Sequence, residues 1–322
     1  MKHFFVINPS AGKGNKVETL IERIKTVCDG RGVEYTLHIT SEIGDAERYT
    51  RAVCEEYKAG SETVRFYACG GDGTVNECVN GAVGFPFAEV AVVPIGTGND
   101  FARNFGGSEP FLDIQALLDA HAEPIDLIKY NNRYCINMIN IGYDCAVVER
   151  TAKLKTHPLI PSKLAYVFGL VGELVKKTGV TFRCRADGKD LGEHKLLLSL
   201  FANGGYCGGG FYSAPRAELC DGLMDLCFIQ YISRLRFITL VGKYKKGTHL
   251  EMKHSERIFD YYKCREVELT FSAPQQICVD GELETCDSLH MSVEKNAIRF
   301  VIPGRTAPEK STAEANIAVT FP

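Results

Sequence analysis

Long uninterrupted apolar runs are missing from this 322-residue chain. No run approaches the roughly 18 residues that a bilayer-spanning helix needs, so no transmembrane segment is expected. The opening MKHFFVIN goes straight into a Gly-rich turn and lacks the apolar core and small-residue cleavage site of a secretory signal. The expectation is a soluble or peripheral protein. A cationic surplus is missing too, because 37 Lys and Arg stand against 40 Asp and Glu, a net charge of -3. Neutralising several phosphates takes clustered Lys and Arg, so a dedicated nucleic-acid binder is not expected. The 13 cysteines form no CxxC pair, no HExxH occurs, and the histidines show no metal-ligand spacing. The thiols therefore read as small, reduced core residues of a cytosolic protein.

What is present is a change of pattern part-way along. The length exceeds what one core usually holds, so two domains are expected. Through residues 1–128, HFFVIN, VEYTLHIT, TVRFYAC and AEVAVVPIG read as strands, and the segments 17–28, 44–60 and GTVNECVNGAV read as helices. Strand and helix alternating at this pitch predict an α/β fold, a Rossmann-like parallel sheet flanked by helices. In such sheets ligands sit at the carboxyl ends of the strands, where NPSAGKG, ITSEIGD, CGGDGT and PIGTGND all fall. Residues 129–302 read instead as β-rich and antiparallel, with tight turns at Asn131-Asn132 and Asp187-Gly188 and helices near 144–155, 161–177 and 233–245. The small, polar segment 303–322 reads as a flexible terminus or as a strap packing back on the first domain.

The stretch CGGDGTVNE (69–77) carries the chemistry. Glycines let backbone N–H groups approach a bound anion, and the following helix adds its positive end. Asp72 in the middle would repel a phosphate unless a divalent cation lay between them, which points to Mg2+ carried in with a nucleotide. A tight strand-to-helix turn with an aspartate cap is the plainer reading of such a turn taken alone. Neither a Walker A loop nor GxGxxG fits the spacing. PIGTGNDFARNFG (94–106) repeats the logic one strand later, with Gly96, Thr97 and Gly98 as donors and Asn99, Asp100 and Arg103 at a helix start.

Asn8-Pro9-Ser10-Ala11-Gly12-Lys13, Gly70-Gly71-Asp72-Gly73-Thr74 with Asn76-Glu77, Pro94 to Arg103, and Asp280-Gly281-Glu282 together resemble the catalytic region of the diacylglycerol kinase family. That family is one of soluble bacterial lipid kinases similar to sphingosine and ceramide kinases, and the match runs from residue 4 to about 302. The resemblance implies an NAD-kinase-like first domain, a sandwich-like second domain, an active site in the cleft between them, and ATP and Mg2+ as cofactors. It places the nucleotide against Asn8, Pro9, Ser10, Ala11, Gly12, Thr40, Gly71, Asp72, Gly73, Thr74, Val75, Asn76, Glu77 and Thr97. It assigns Glu282 as proton acceptor and Asp72 as the acid near the phosphates, although Asp72 as the base stays open. It implies a second, structural metal held by the Asp221 carboxylate and the backbone oxygens of Glu218 and Leu223, against which stands a plain Asp-Gly corner. Lys13, Asp100 and Asp126 match the network connecting that metal to the cleft.

The acceptor implied is a lipid hydroxyl, with diacylglycerol giving phosphatidate as the leading case. SKLAYVFGLVGELVKKTG (162–179) is apolar nearly all round. Arg150, Lys153, Lys155, Lys163, Lys176 and Lys177 outweigh Glu173 around it, and Ser233 to Arg257 is similarly basic. Such a surface suits docking on an anionic leaflet, the inner face of the membrane, while a core helix with solvated flanks accounts equally for the pattern. The glycine-rich segment 202–215 reads as a hinge, a close approach or a long loop. The rival readings are an NAD kinase-like enzyme acting on a soluble nucleotide and a catalytically silent lipid or nucleotide binder. A homodimer is left open.

Overall fold

The structure, a computed structural model, describes residues 1–12, 15–155 and 179–304. Lys13, the segment expected as a helix at 161–177 and the tail from 305 lie outside the described residues. The chain forms two compact units, Met1–Leu127 with the described residues from Glu294 on, and Ile128–Val293.

In the first unit, β1 (Lys2–Ile7), β2 (Tyr35–Ile39), β3 (Val64–Gly70) and β4 (Ala88–Pro94) alternate with α1 (Lys16–Arg31), α2 (Asp45–Tyr57) and α3 (Asp72–Ala82). The strands are parallel in the order β4-β3-β1-β2, and β3 and β4 are buried along their whole length, as continuous apolar runs require in a sheet covered on both faces. Helix α1 buries Leu20, Ile24 and Cys28 on one stripe, and Gly32 closes it at φ 64 with its N–H on Asp29 and Cys28 carbonyls. After β4 come α4 (Asp100–Arg103), α5 (Ile114–Asp119) and β5 (Ala122–Tyr130). A fifth parallel neighbour arrives from far along the chain. The end of β15 (Glu282–Val301) pairs with β4 at Arg299↔Glu89 and Phe300↔Val90. The residues from Glu294 on thus belong to the first unit, whereas the expectation grouped all of 129–302 together. The physical reason is a non-local pairing that no local period announces. Arg65 anchors this edge. Its Nε lies 2.8 Å from Glu89 Oε2, its guanidinium also donates to the Leu117 carbonyl, and both charged side chains are buried.

The second unit is antiparallel. Strands β6 (Arg133–Cys135), β7 (Met138–Gly142), β8 (Val180–Ala186), β9 (Lys189–Ala202), β12 (Met224–Gln230), β13 (Phe259–Cys264) and β14 (Glu266–Val279) join the first part of β15, in the order β13-β12-β9-β7-β14-β15, with β8 beside β9 and β14. The expected turns are there. Tyr130 pairs with Arg133 across Asn131-Asn132, and Ala186 with Lys189 across Asp187-Gly188, where Asp187 and Gly188 take φ of 46 and 77. Segments read as separate short strands are continuous, as in β14, which carries one irregularity between Thr270 and Gln275. Alternate residues of β9 and β12 serve two apolar clusters, Phe201, Leu226 and Phe228 in one and Leu198, Leu200 and Ile229 in the other. Helices α6 (Tyr143–Lys155) and α7 (Arg234–Lys246) fall where expected, and Ser233 caps α7 through the Arg236 N–H. The glycine-rich segment forms a small hairpin, β10 (Tyr206–Cys207) and β11 (Phe211–Tyr212), turning through Gly208, Gly209 and Gly210 at positive φ. The cysteines are all free, and most are buried. Burial pushes thiols such as Cys54 and Cys78 up to about 12, consistent with inert core residues.

Candidate active site

At the carboxyl edge of the parallel sheet, backbone and side chains lace three turns together. The Asn8 N–H donates to the Cys69 carbonyl at 3.0 Å, its side-chain amide reaches Thr74 Oγ1 at 3.3 Å, and its Oδ1 accepts the Ser10 N–H at 2.9 Å. The Thr40 N–H donates to the Ile7 carbonyl, which brings the end of β2 to the same edge. The Gly96 N–H donates to the Gly70 carbonyl at 3.0 Å. Asp72 completes the lacing. Its Oδ2 accepts the Asp100 N–H at 3.1 Å and its Oδ1 the Phe101 N–H at 3.0 Å. Asn99 sits in the left-handed region at φ 51 and donates its side-chain amide to the Pro94 and Gly96 carbonyls. Arg103 Nε lies 3.3 Å from Asp100 Oδ1.

This packing explains which glycines the site needs. A Cβ on Gly96 would stand 2.5 Å from the Gly71 Cα, and one on Gly70 would stand 2.2 Å from Thr74 Oγ1. Gly12, at φ +81, would meet the Ile95 carbonyl at 3.0 Å. Gly12 and Gly96 serve the approach of turn to turn, and Gly70 makes room for Thr74 of its own turn. A Cβ on Gly71, by contrast, would meet the Gly96 Cα at 3.7 Å, an ordinary contact, and Gly71 is partly exposed at the head of α3, where N–H groups of the first turn suit an anion. Thr97, Pro9 and Ser10 are exposed at this edge, and Asp72 and Gly73 are partly exposed. Val75 is buried and Asn76 accepts from the Asn80 amide. Glu77 faces inward, its two oxygens accepting the Gly44 and Ala46 N–H groups at 2.9 and 3.1 Å, so it holds the start of α2. The oxygen donors, with Asn99 Oδ1 buried and lacking a hydrogen-bond partner, fit a hard divalent cation delivered with a nucleotide.

Asp126 is fully buried in β5 and accepts the Asn296 N–H at 2.8 Å. In the second unit, Asp280 and Gly281 make the two-residue turn between β14 and β15, at φ 47 and 96. The Asp280 carboxylate accepts the N–H groups of Ile136, Asn137 and Met138 within 3.0 Å and the Cys135 thiol at 3.2 Å. Glu282, paired across the turn with Val279, is exposed, and its side chain has no hydrogen bond or ion pair with the described residues. Asp221 Oδ1 accepts the Leu223 N–H at 2.9 Å, and its Oδ2 lies 2.6 Å from Lys263 Nζ. Sequence reasoning passed over the anchoring by Glu77, the fixing of the turn by Asp280, and Lys263. It also passed over Ile43, 88% exposed in the loop after Thr40, although an apolar residue inside a polar loop is a signal that could be read.

Residues 2–130 match the family model described as the diacylglycerol kinase catalytic domain, and residues 137–302 the one described as the YegS C-terminal NAD kinase beta sandwich-like domain. A diacylglycerol kinase of Bacillus subtilis is 30% identical over 286 residues, covering 86% of this chain and 88% of that one. The chain belongs to the diacylglycerol kinase family. Similar to this family member are a probable lipid kinase YegS-like of Alcanivorax borkumensis, 28% identical over 85% of this chain and 88% of its own length, and a solved diacylglycerol kinase of Bacillus anthracis. The latter has a TM-score of 0.67 at 21% identity, covering 94% of this chain and 97% of that one, and shows the shared fold. The first matched region of this family member carries the laced turns, and the second carries the Asp280-Gly281-Glu282 turn. Among the described residues no helix is long and apolar enough to cross a membrane.

Proposed function

We propose that the protein transfers the γ-phosphoryl group of MgATP to a lipid hydroxyl, with diacylglycerol as the leading acceptor and phosphatidate as its product. The observation that carries this reading is the lacing of Asn8, Thr74, Gly70, Gly96 and Asp72, which leaves Gly71, Asp72 and Gly73 partly exposed at the head of α3. Phosphoryl transfer asks a protein mainly for positioning and charge neutralisation, and a braced set of N–H donors supplies positioning. Mg2+ bound with the nucleotide would offset charge on the transferring group. The first turn of α3 would receive phosphate oxygens, Asp72 would hold the cation, and Thr97 and Ser10 would offer hydroxyls. Both Asp72 oxygens already accept backbone N–H groups, whereas Glu282 is exposed and unpartnered among the described residues. That contrast supports Glu282 as acceptor of the hydroxyl proton.

Docking on an anionic membrane surface is part of the same reading. It is supported by α7, where Arg236, Lys243, Lys245 and Lys246 are exposed together with Ile238 at 59%. The deciding experiment offers ATP and Mg2+ with a panel of lipids in mixed micelles and, separately, NAD. Labelled lipid is expected, and Glu282→Gln should lower kcat about 10^2-fold or more with little change in the KM for ATP. Labelling of NAD alone would select a kinase of soluble nucleotides, and unchanged turnover in Glu282→Gln would remove that residue from its role.

A further inference from the structure

The resemblance implies a structural divalent ion on Asp221 and the backbone oxygens of residues 218 and 223, and the charges at this turn do not fit one. Lys263 comes from β13 directly opposite Asp225 of β12, so both side chains lie on the same face of the pair. Asp221 reaches the same point from the turn that leads into β12. The Lys263 ammonium lies 2.6 Å from Asp221 Oδ2 and 3.5 Å from Asp225 Oδ2, and it also feels the negative charge of Glu218. The other Asp221 oxygen accepts the Leu223 N–H at 2.9 Å, and the Asp221 side chain is only 7% exposed. Asp225 is wholly buried, and leaving it or Asp221 without a cation would be costly, since a buried carboxylate needs a compensating charge.

A divalent ion bound to Asp221 sits about 2.0–2.6 Å from its oxygen. With Nζ already in contact with that carboxylate, ion and ammonium would be forced together without water between them, and like charges at such separation repel strongly. Lys263 holds the place beside Asp221 Oδ2, so the chain carries its own cation there, although both Asp225 oxygens lack a hydrogen-bond partner.

We infer that Lys263 supplies from within the chain the positive charge that a structural metal would bring to the Asp221 turn, so that the second unit holds this corner without a divalent ion. The ammonium donates one hydrogen bond, to Asp221, and keeps access to solvent with its side chain 27% exposed. This inference stands apart from the lipid kinase reading, because neither readout below uses catalysis.

The test uses full-length protein freed of metal with EDTA and no nucleotide. Binding of Mn2+ is measured by electron paramagnetic resonance, and thermal unfolding is followed with and without Mg2+. Wild type and Asp221→Asn are expected to bind the same number of Mn2+ ions, and added Mg2+ is expected to leave the wild-type Tm in place. Lys263→Met should lower Tm by about 5 °C or more in EDTA, because it leaves buried carboxylates uncompensated, while Lys263→Arg should retain most of it. A wild type that binds one Mn2+ more than Asp221→Asn would overturn the inference. So would a Lys263→Met protein whose Tm in EDTA equals that of wild type. If Lys263→Met fails to fold, the wild-type and Asp221→Asn comparison decides alone.

Discussion

Asp72 in the first unit and Asp280 in the second both precede a glycine, and the same side chain does different work in each. Asp72 accepts one backbone N–H on each oxygen and remains partly exposed. Asp280 is 9% exposed and takes three N–H groups and a thiol from residues 135–138. The first carboxylate ties two turns together and stays partly exposed at the sheet edge. The second is consumed by the fold and fixes the turn that presents Glu282. An Asp-Gly dipeptide therefore carries no function by itself. What the surrounding donors leave of the carboxylate decides, and an oxygen with spare lone pairs and access can still meet a cation or a substrate.

The contrast breaks most severely at Asp280. Asp280→Ala orphans three buried N–H groups and should cost about 3–5 kcal/mol, read as a lower urea midpoint with faster hydrogen exchange at residues 135–138. Unchanged protection there would remove Asp280 from its structural role. Asp72→Ala should behave oppositely, losing roughly 1–2 kcal/mol of stability but about 10^3-fold in phosphoryl transfer. An active Asp72→Ala protein would make the two aspartates alike.

Acid sharpens the comparison of the units, since each buries a histidine. Burial, helped by the Arg65 charge, lowers His3 from 6.5 to about 4, and burial with Arg216 nearby lowers His249 equally. Both folded values lie below the unfolded one, so the unfolded chain takes protons first. The stability is present in full above about pH 6.5 and is lost as pH falls toward 4, up to about 3 kcal/mol for each residue. Unfolding curves of His3→Gln and His249→Gln should lose part of that slope, and slopes identical to wild type would discard the account.

Smaller effects separate the glycines. Gly96→Ala drives a Cβ to 2.5 Å from the Gly71 Cα, so the turns must part, and the KM for ATP should rise roughly 10-fold. Gly30→Ala, inside α1 with nothing within 4 Å of the added Cβ, should instead stabilise by about 0.5–1 kcal/mol without touching activity. Equal activity losses in both would show that glycine content rather than turn packing matters.

The parallel part, the antiparallel part and the tight turns were legible because each is written in local periods and in Asn-Asn or Asp-Gly pairs. The joining of Arg299 and Phe300 to β4 was not, because the partner lies some two hundred residues away and no period encodes it. The glycines of CGGDGT and PIGTG were recognised as meaningful but read as room for phosphate, whereas Gly70 and Gly96 mainly make room for Thr74 and Gly71. Glu77 was read with the nucleotide and is spent on the Gly44 and Ala46 N–H groups, a contact made only when α2 packs beside α3. Lys263 gave no signal, since nothing in YYKC marks a lysine that faces Asp221.

Transfer of label from the γ-phosphate of ATP to diacylglycerol in mixed micelles, compared among wild type, Asp72→Ala and Glu282→Gln, tests the kinase reading most directly. Labelled phosphatidate is expected from the wild type only with Mg2+, falling about 10^3-fold in Asp72→Ala and about 10^2-fold in Glu282→Gln. A wild type that labels no lipid of the panel, or equal labelling by all three proteins, would contradict it.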